Sequence, residues 1–188
     1  MLDRIRQAPG EAMNAADYGA DFDREFAAHR GIVWKLERLQ HFDEGDFPSF
    51  TAAMAGDWDR AWELMEEYRP HFAASFPEGI DFRRVRVVEE PWTPYMRWEL
   101  PWLVARGEAG ETCRVVPTGL VAAYEHEQPV PELVLIHSGL LYQVLYDEGA
   151  LHTGCRRITD PSVVEPTRDV LAALFEQGED LRSYVERA

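Results

Sequence analysis

The sequence predicts an α+β domain: a largely antiparallel sheet of about six strands, helices packed on one face, and a C-terminal helix. Three observations carry that prediction. Runs with period-two alternation stand at Ile32–Leu39, Ile80–Glu89 and Cys113–Val116. A meander follows, in which Glu132–His137 and Leu140–Asp147 are joined by Ser138-Gly139, and Glu148-Gly149 leads into Ala150–Ile158. Around these runs the apolar spacing changes to the i, i+3, i+4 period of helices.

Taken in order, residues 1–20 are weakly patterned and read as a mobile or helical lead-in to a single domain over 21–188. Phe22 and Phe26 mark a short helix from Asp21 to about His29, closed by Gly31. In the first strand, Val33, Lys35, Glu37 and Leu39 share a face, so Glu37 lies among apolar neighbours. After an acidic loop at His41–Asp46, a short helix follows Pro48 and ends at Gly56. Asp57 caps the most strongly patterned helix, Trp58 to about Phe76, and Pro70 predicts a kink or break near Tyr68. Its tryptophan stripe reads as core. Tyr95–Arg106 fits a helix or a strand, although Pro101 argues against a continuous central strand. Residues 117–131 read as a loop with a helical turn. Asp160-Pro161, with a capping-box pattern at Ser162-Val-Val-Glu165, opens a helix to about Gln177; a short helix past Gly178 ends near Arg187.

The 188 residues carry 19 basic and 34 acidic side chains, a net charge of −15. A field of that sign repels phosphate backbones and anionic membranes, so neither direct nucleic-acid binding nor membrane attachment is expected. The apolar runs fall far short of the roughly 20 residues of a membrane span, and the start lacks a signal-peptide core; cytoplasmic location is the expectation. Cys113 and Cys155 are expected as buried thiols on neighbouring strands. The chain has no phosphate-binding glycine loop, dinucleotide fingerprint, His-Glu-x-x-His, Gly-x-Ser-x-Gly or Cys-x-x-Cys motif. Its six histidines show no ligand spacing, so no metal and no cofactor is expected.

The densest chemistry lies in Phe82–Leu100, which holds four arginines together with Glu89, Glu90, Glu99, Trp92, Tyr95 and Trp98. Strand alternation puts Phe82, Arg84, Arg86 and Val88 on one face. Two arginines there must meet carboxylates, a solvent-filled cleft or an anionic ligand. One outcome is an Arg/Glu network pinning strand to strand. The other is a pocket in which Arg84, Arg86 or Arg97 holds a phosphate or carboxylate, with Trp92, Tyr95 and Trp98 as its wall. Glu37 or Glu99 would then be the catalytic base if burial raised its pKa. Convergence on an open pocket favours the site; burial without a cavity favours the network.

Several motifs resemble an actinobacterial family, the domain of unknown function numbered six-eight-seven-nine. They are the acidic Phe-rich helix Asp21–Phe26, Lys35-Leu36-Glu37-Arg38 with Phe42 and Glu44, Arg84–Val88 with Pro91, Tyr95–Leu100, Gly110-Glu111 and Tyr146-Asp147. The resemblance covers roughly Asp21 to Tyr184. It departs at Glu132-Leu-Val-Leu-Ile-His137, where relatives carry an aromatic strand flanked by Asp, so the second acid becomes His137. Members look like frequent neighbours of helix-turn-helix regulators, which implies such a regulator as protein partner and a regulatory or accessory role. The expected function is a non-catalytic ligand-sensing or protein-interaction domain, with a small anionic ligand as the alternative partner class. The alternative function is a hydrolase or transferase on an anionic or phosphorylated substrate held by the arginine cluster.

Overall fold

The computed structural model describes residues 2–188. Helix α1 (Leu2–Ile5) leads into strand β1 (Glu11–Asn14), helix α2 (Ala15–Ala28) and strand β2 (Gly31–Glu37). Helices α3 (Pro48–Met54) and α4 (Trp58–Phe72) precede β3 (Ile80–Val88), α5 (Pro94–Glu108), β4 (Thr112–Pro117) and α6 (Thr118–Val121). The meander is β5 (Glu132–His137), β6 (Leu140–Tyr146) and β7 (His152–Ile158), followed by α7 (Pro161–Gln177), β8 (Glu179–Asp180) and α8 (Leu181–Arg187).

The strands form one mixed, 8-stranded sheet in the order β1-β7-β6-β5-β2-β3-β4-β8. The α+β class and single domain stand; the strand number and the antiparallel character are corrected. β2, β3 and β4 run parallel, because each is joined to the next by a helical crossover, α3–α4 and then α5. The two edge strands, β1 and β8, are too short to show alternation in the sequence. The cysteines are buried and free but stand on β4 and β7, which are not neighbours.

Helices cover both faces, not one. Trp34, Leu36, Val85, Val87, Leu133 and Leu135 pack with Leu2, Ile5, Leu171, Leu174 and Phe175, so α1 and α7 close that side. On the other side, Val33, Phe82, Val134 and Tyr142 meet Tyr18, Phe22 and Phe26 of α2. Further along the same face, Val88 and Val115 meet the aromatic-rich packing of α3, α4, α5 and α8. β3 is buried along most of its length because it is covered on both faces and flanked by two strands.

Within residues 2–20, α1 packs on the core and β1 joins the sheet. Leu2 and Ile5 are fully buried, β1 pairs with β7, and Arg156 donates to the Ile5 and Arg6 carbonyls at 3.1 and 3.0 Å. Ile5→Ala should therefore lower unfolding free energy by about 2–4 kcal/mol in chemical denaturation. An unchanged midpoint would restore the mobile lead-in.

Candidate functional site

Parallel pairing sets the site's floor. Lys35 stands beside Arg84 and Glu37 beside Arg86 across β2 and β3, while Arg84 also pairs in register with Cys113 of β4. Helix α5 lies over these side chains. It starts where Thr93 caps it, accepting from the Met96 N–H at 3.1 Å, with Pro94 in the first turn. One turn apart on its inner face, Tyr95 and Glu99 are both buried against the sheet.

The charges form a chain. Arg106 Nε donates to Glu111 Oε2 at 2.7 Å, and Glu111 Oε1 takes Arg84 Nε. Arg84 Nη1 reaches Glu37 Oε2, and Lys35 Nζ closes the chain on Glu37 Oε1 at 2.7 Å. Beside it, Arg86 contacts Glu99 Oε2 through Nε at 2.8 Å and Nη2 at 2.7 Å. The Tyr95 hydroxyl donates to Glu44 at 2.8 Å and lies 3.3 Å from Glu99 Oε1. Arg86 is fully buried, and Glu37, Arg84, Glu99 and Glu111 are nearly so.

Burial raises every carboxyl here, and the neighbours decide the outcome. For Glu37 the charges of Arg84, Lys35 and Arg86 overcome burial and hold it well below the usual carboxylate range. Burial of Glu111 is likewise outweighed, by Arg84 and Arg106, so its pKa falls. Glu99 goes up, because burial and the Glu37 charge outweigh its pairing with Arg86. Glu132, at the start of β5, is pushed up to about 7 by burial and by Glu37; the Leu39 and Arg38 N–H groups it accepts from, at 2.8 and 2.9 Å, only partly offset this. Burial raises the Cys113 thiol far above its ordinary value, which leaves it an inert thiol.

Above the floor opens a pocket of about 280 Å³. Lys35, Glu37, Arg84, Glu99 and Arg106 line its charged side, and Phe47, Tyr68, Trp98 and Trp102 its aromatic side. The rings lock edge to face, with Tyr68–Trp102 centroids at 5.3 Å and Trp98–Trp102 at 5.7 Å. A smaller cavity of about 180 Å³ shares Lys35 and continues toward Glu132, Tyr146 and His152. Among the described residues, no group of three or more His, Cys, Asp or Glu is placed to hold a metal ion.

Of the residues the sequence singles out, Glu37, Arg84, Arg86, Tyr95 and Glu99 come together. Arg97 and Trp92 do not join them. Arg97 is exposed on the outer face of α5, its guanidinium 5.0 Å from the Trp58 ring. Trp92 donates to the Tyr184 hydroxyl of α8 at 3.0 Å, away from the pocket. The geometry adds Lys35, Arg106, Glu111 and Glu132, and on the aromatic side Phe47, Tyr68 and Trp102. Lys35 was legible as sharing a strand face with Glu37. Glu111 and Glu132, carboxylates at strand starts, carry no spacing signal.

A model of the family described as Domain of unknown function (DUF6879) matches residues 20–186. The chain belongs to this family. No curated protein matches it. Among solved structures it is similar to TrmBL2, an archaeal chromatin protein whose structure shows a novel mode of DNA binding. Identity is 10% and the TM-score 0.47, over 90% of this chain and 52% of that one, so the chain spans about half of that protein's length. The expectation that nucleic acid is excluded as a partner is corrected here. That structural neighbour binds DNA, and a net charge summed over a whole chain does not exclude it. A likeness this distant carries no argument about what this chain binds. No helix among the described residues is long and apolar enough to cross a membrane.

Two outcomes test the network. Arg86→Met alone strands Glu99 and should cost about 3–5 kcal/mol, whereas Arg86→Met with Glu99→Met should recover most of that loss in denaturant titrations. The Glu132 carboxyl titrates near 7 when folded against an ordinary value of 4.5. The folded chain therefore binds the extra proton in that window, and the stability contribution falls as pH rises through it. Relative to wild type, Glu132→Gln should gain about 2–3 kcal/mol between pH 5 and pH 8. A pH-independent difference would mean that Glu132 is ionised throughout.

Proposed function

We propose that this domain is a non-catalytic ligand-sensing module whose binding site is the pocket between the β2–β3 floor and α3–α5. The observation that carries this reading is the combination of an open aromatic pocket with a floor whose charges are already paired. Glu37 is held ionised by its cations and makes a poor proton acceptor. Arg84 and Arg86 spend their charge on Glu111, Glu37 and Glu99, so they are a foundation rather than a clamp. A rigid, preorganised wall suits recognition, since little side-chain order is lost when a ligand enters. Occupancy would stiffen the α3–α5 layer over the sheet, which is a signal an accessory or regulatory domain can pass on.

A second reading has one observation in its favour. Glu99 lines the pocket, carries a raised pKa and stands next to the Tyr95 hydroxyl, the environment of a general acid. A hydrolase or transferase would use that proton on a substrate held over the floor.

A thermal-shift screen of a small-molecule library, followed by calorimetry, separates these readings. The sensing module predicts compounds that raise the melting temperature in wild type but not in Tyr68→Ala, a lip residue that is 40% exposed. It also predicts that bound compounds are recovered unchanged. Turnover of a hit, lost in Glu99→Gln, would establish the enzyme instead. A library with no pocket-dependent hit would remove both.

A further inference from the structure

The residual hydrogen-bonding capacity of the pocket discloses the class of ligand it takes. Its carboxylates are spoken for: Glu37 holds Lys35 and Arg84, Glu111 holds Arg84 and Arg106, and Glu99 holds Arg86. The donors are not. Lys35 has three N–H bonds and one carboxylate partner among the described residues. Arg106 engages Glu111 through Nε, while its terminal amino groups have no partner among the described residues. Both side chains are 26% exposed and line the pocket, so these donors are reachable. Trp102, also in the lining, has a buried indole N–H with no acceptor among the described residues, so it offers the pocket its ring rather than a donor.

Charge points the same way. The chain Arg106–Glu111–Arg84–Glu37–Lys35 has a cation at each end and a surplus of one positive charge; Arg86–Glu99 is a neutral pair. The opposing charge in the lining is Glu44, which is exposed at the rim, occupied by Tyr95 and screened by water. Shape supplies the rest. The apolar part of the lining is Phe47, Tyr68, Trp98 and Trp102, and 280 Å³ falls just below the roughly 300–1,000 Å³ of pockets for drug-sized ligands.

We propose that the pocket binds a compact aromatic carboxylate, its ring among Phe47, Tyr68, Trp98 and Trp102 and its carboxylate on Lys35 or Arg106. The proposal rests on the pocket being a ligand site and names the chemistry that site selects. Arginines 84 and 86 play no direct part in recognition; they hold the two terminal cations in place through Glu37 and Glu111.

The test is calorimetry and tryptophan fluorescence on the full chain with indole-3-carboxylate and benzoate, the matching carboxamides, the matching amines and inorganic phosphate. The expected result is that a carboxylate binds at least tenfold more tightly than its amide and amine, with phosphate weaker still. Lys35→Met or Arg106→Met should weaken it at least tenfold, while Arg60→Ala, an equal charge change on the outer surface of α4, leaves it unaltered. Where Arg106→Met fails to fold, as judged by circular dichroism, Lys35→Met and the wild-type carboxylate-to-amide comparison carry the test. An amine that matches or exceeds the carboxylate overturns the proposal. So does an affinity indifferent to Lys35 and Arg106, or no binding across the panel. If a library compound binds in a Tyr68-dependent way while this panel fails, the ligand class falls and the sensing pocket stands; failure of both removes both.

Discussion

The structure depends on where Arg84 and Arg86 put their charge. Two guanidinium groups on the inner face of a central strand cannot be left unpaired, since desolvating each costs several kcal/mol. The partners come from three different segments: Glu37 from β2, Glu99 from α5 and Glu111 from the turn before β4. Each pairing fixes one neighbour. Glu37 sets the register of β2 on β3, Glu99 seats α5 on the sheet, and Glu111 anchors the entry to β4. A slip of one residue in β3 would turn both arginines onto the face of Val85 and Val87, which shares its apolar core with Leu36, Leu171 and Leu174. An ion-pair network of this kind adds little net stability over an apolar core. Its effect is to make alternative registers costly.

That same saturation shapes the site. Because the middle of the chain is paired, a ligand of the proposed kind would meet its two ends. Lys35 and Arg106 are the points where the network reaches solvent, and each keeps donors to spare. Lys35 also joins the main pocket to the smaller cavity beside Glu132. Glu132 differs from the other buried carboxylates in resting on backbone N–H groups, with Glu37 close enough to oppose its ionisation. Charge placed near Lys35 would thus be felt at Glu132 without any change in backbone.

Much of this was written in local pattern. The β5–β7 meander, the Asp160 cap of α7 and the face shared by Arg84 and Arg86 follow from alternation and turn chemistry, and the structure has them. What failed were inferences that needed the period of one segment or the partner of another. Tyr95–Arg106 was open to helix or strand, and Arg97 shares a face with Tyr95 and Glu99 only in a strand. In a helix, two residues turn the side chain by about 200°, so Arg97 must leave the face that holds Tyr95 and Glu99. Thr93-Pro94, a cap followed by proline, was the local signal for the helix. Parallel pairing was hidden because it lies in the crossovers, not in the strands. Glu111 was invisible as a partner, since nothing in its neighbours announces the arginine 27 positions earlier.

Volume alone would point elsewhere. A larger cavity, about 930 Å³, lies beyond the ends of β3 and β4, lined by Arg38, Glu89, Glu90, Tyr184 and Arg187 among others. Its charged groups are satisfied at the surface: Arg38 by Glu89 at 2.7 Å, Arg187 by Glu179 at 2.7 Å, and Glu90 by the Tyr184 hydroxyl at 2.8 Å. Tyr184 is the aromatic ring in that lining, which also holds Glu89, Glu90 and Glu179, so it offers a ligand little apolar contact. In the smaller pocket, Phe47, Tyr68, Trp98 and Trp102 share the lining with Lys35 and Arg106. A ligand there would meet both apolar rings and donors with spare capacity. Lining chemistry rather than size therefore favours the pocket over Arg84 as the proposed site.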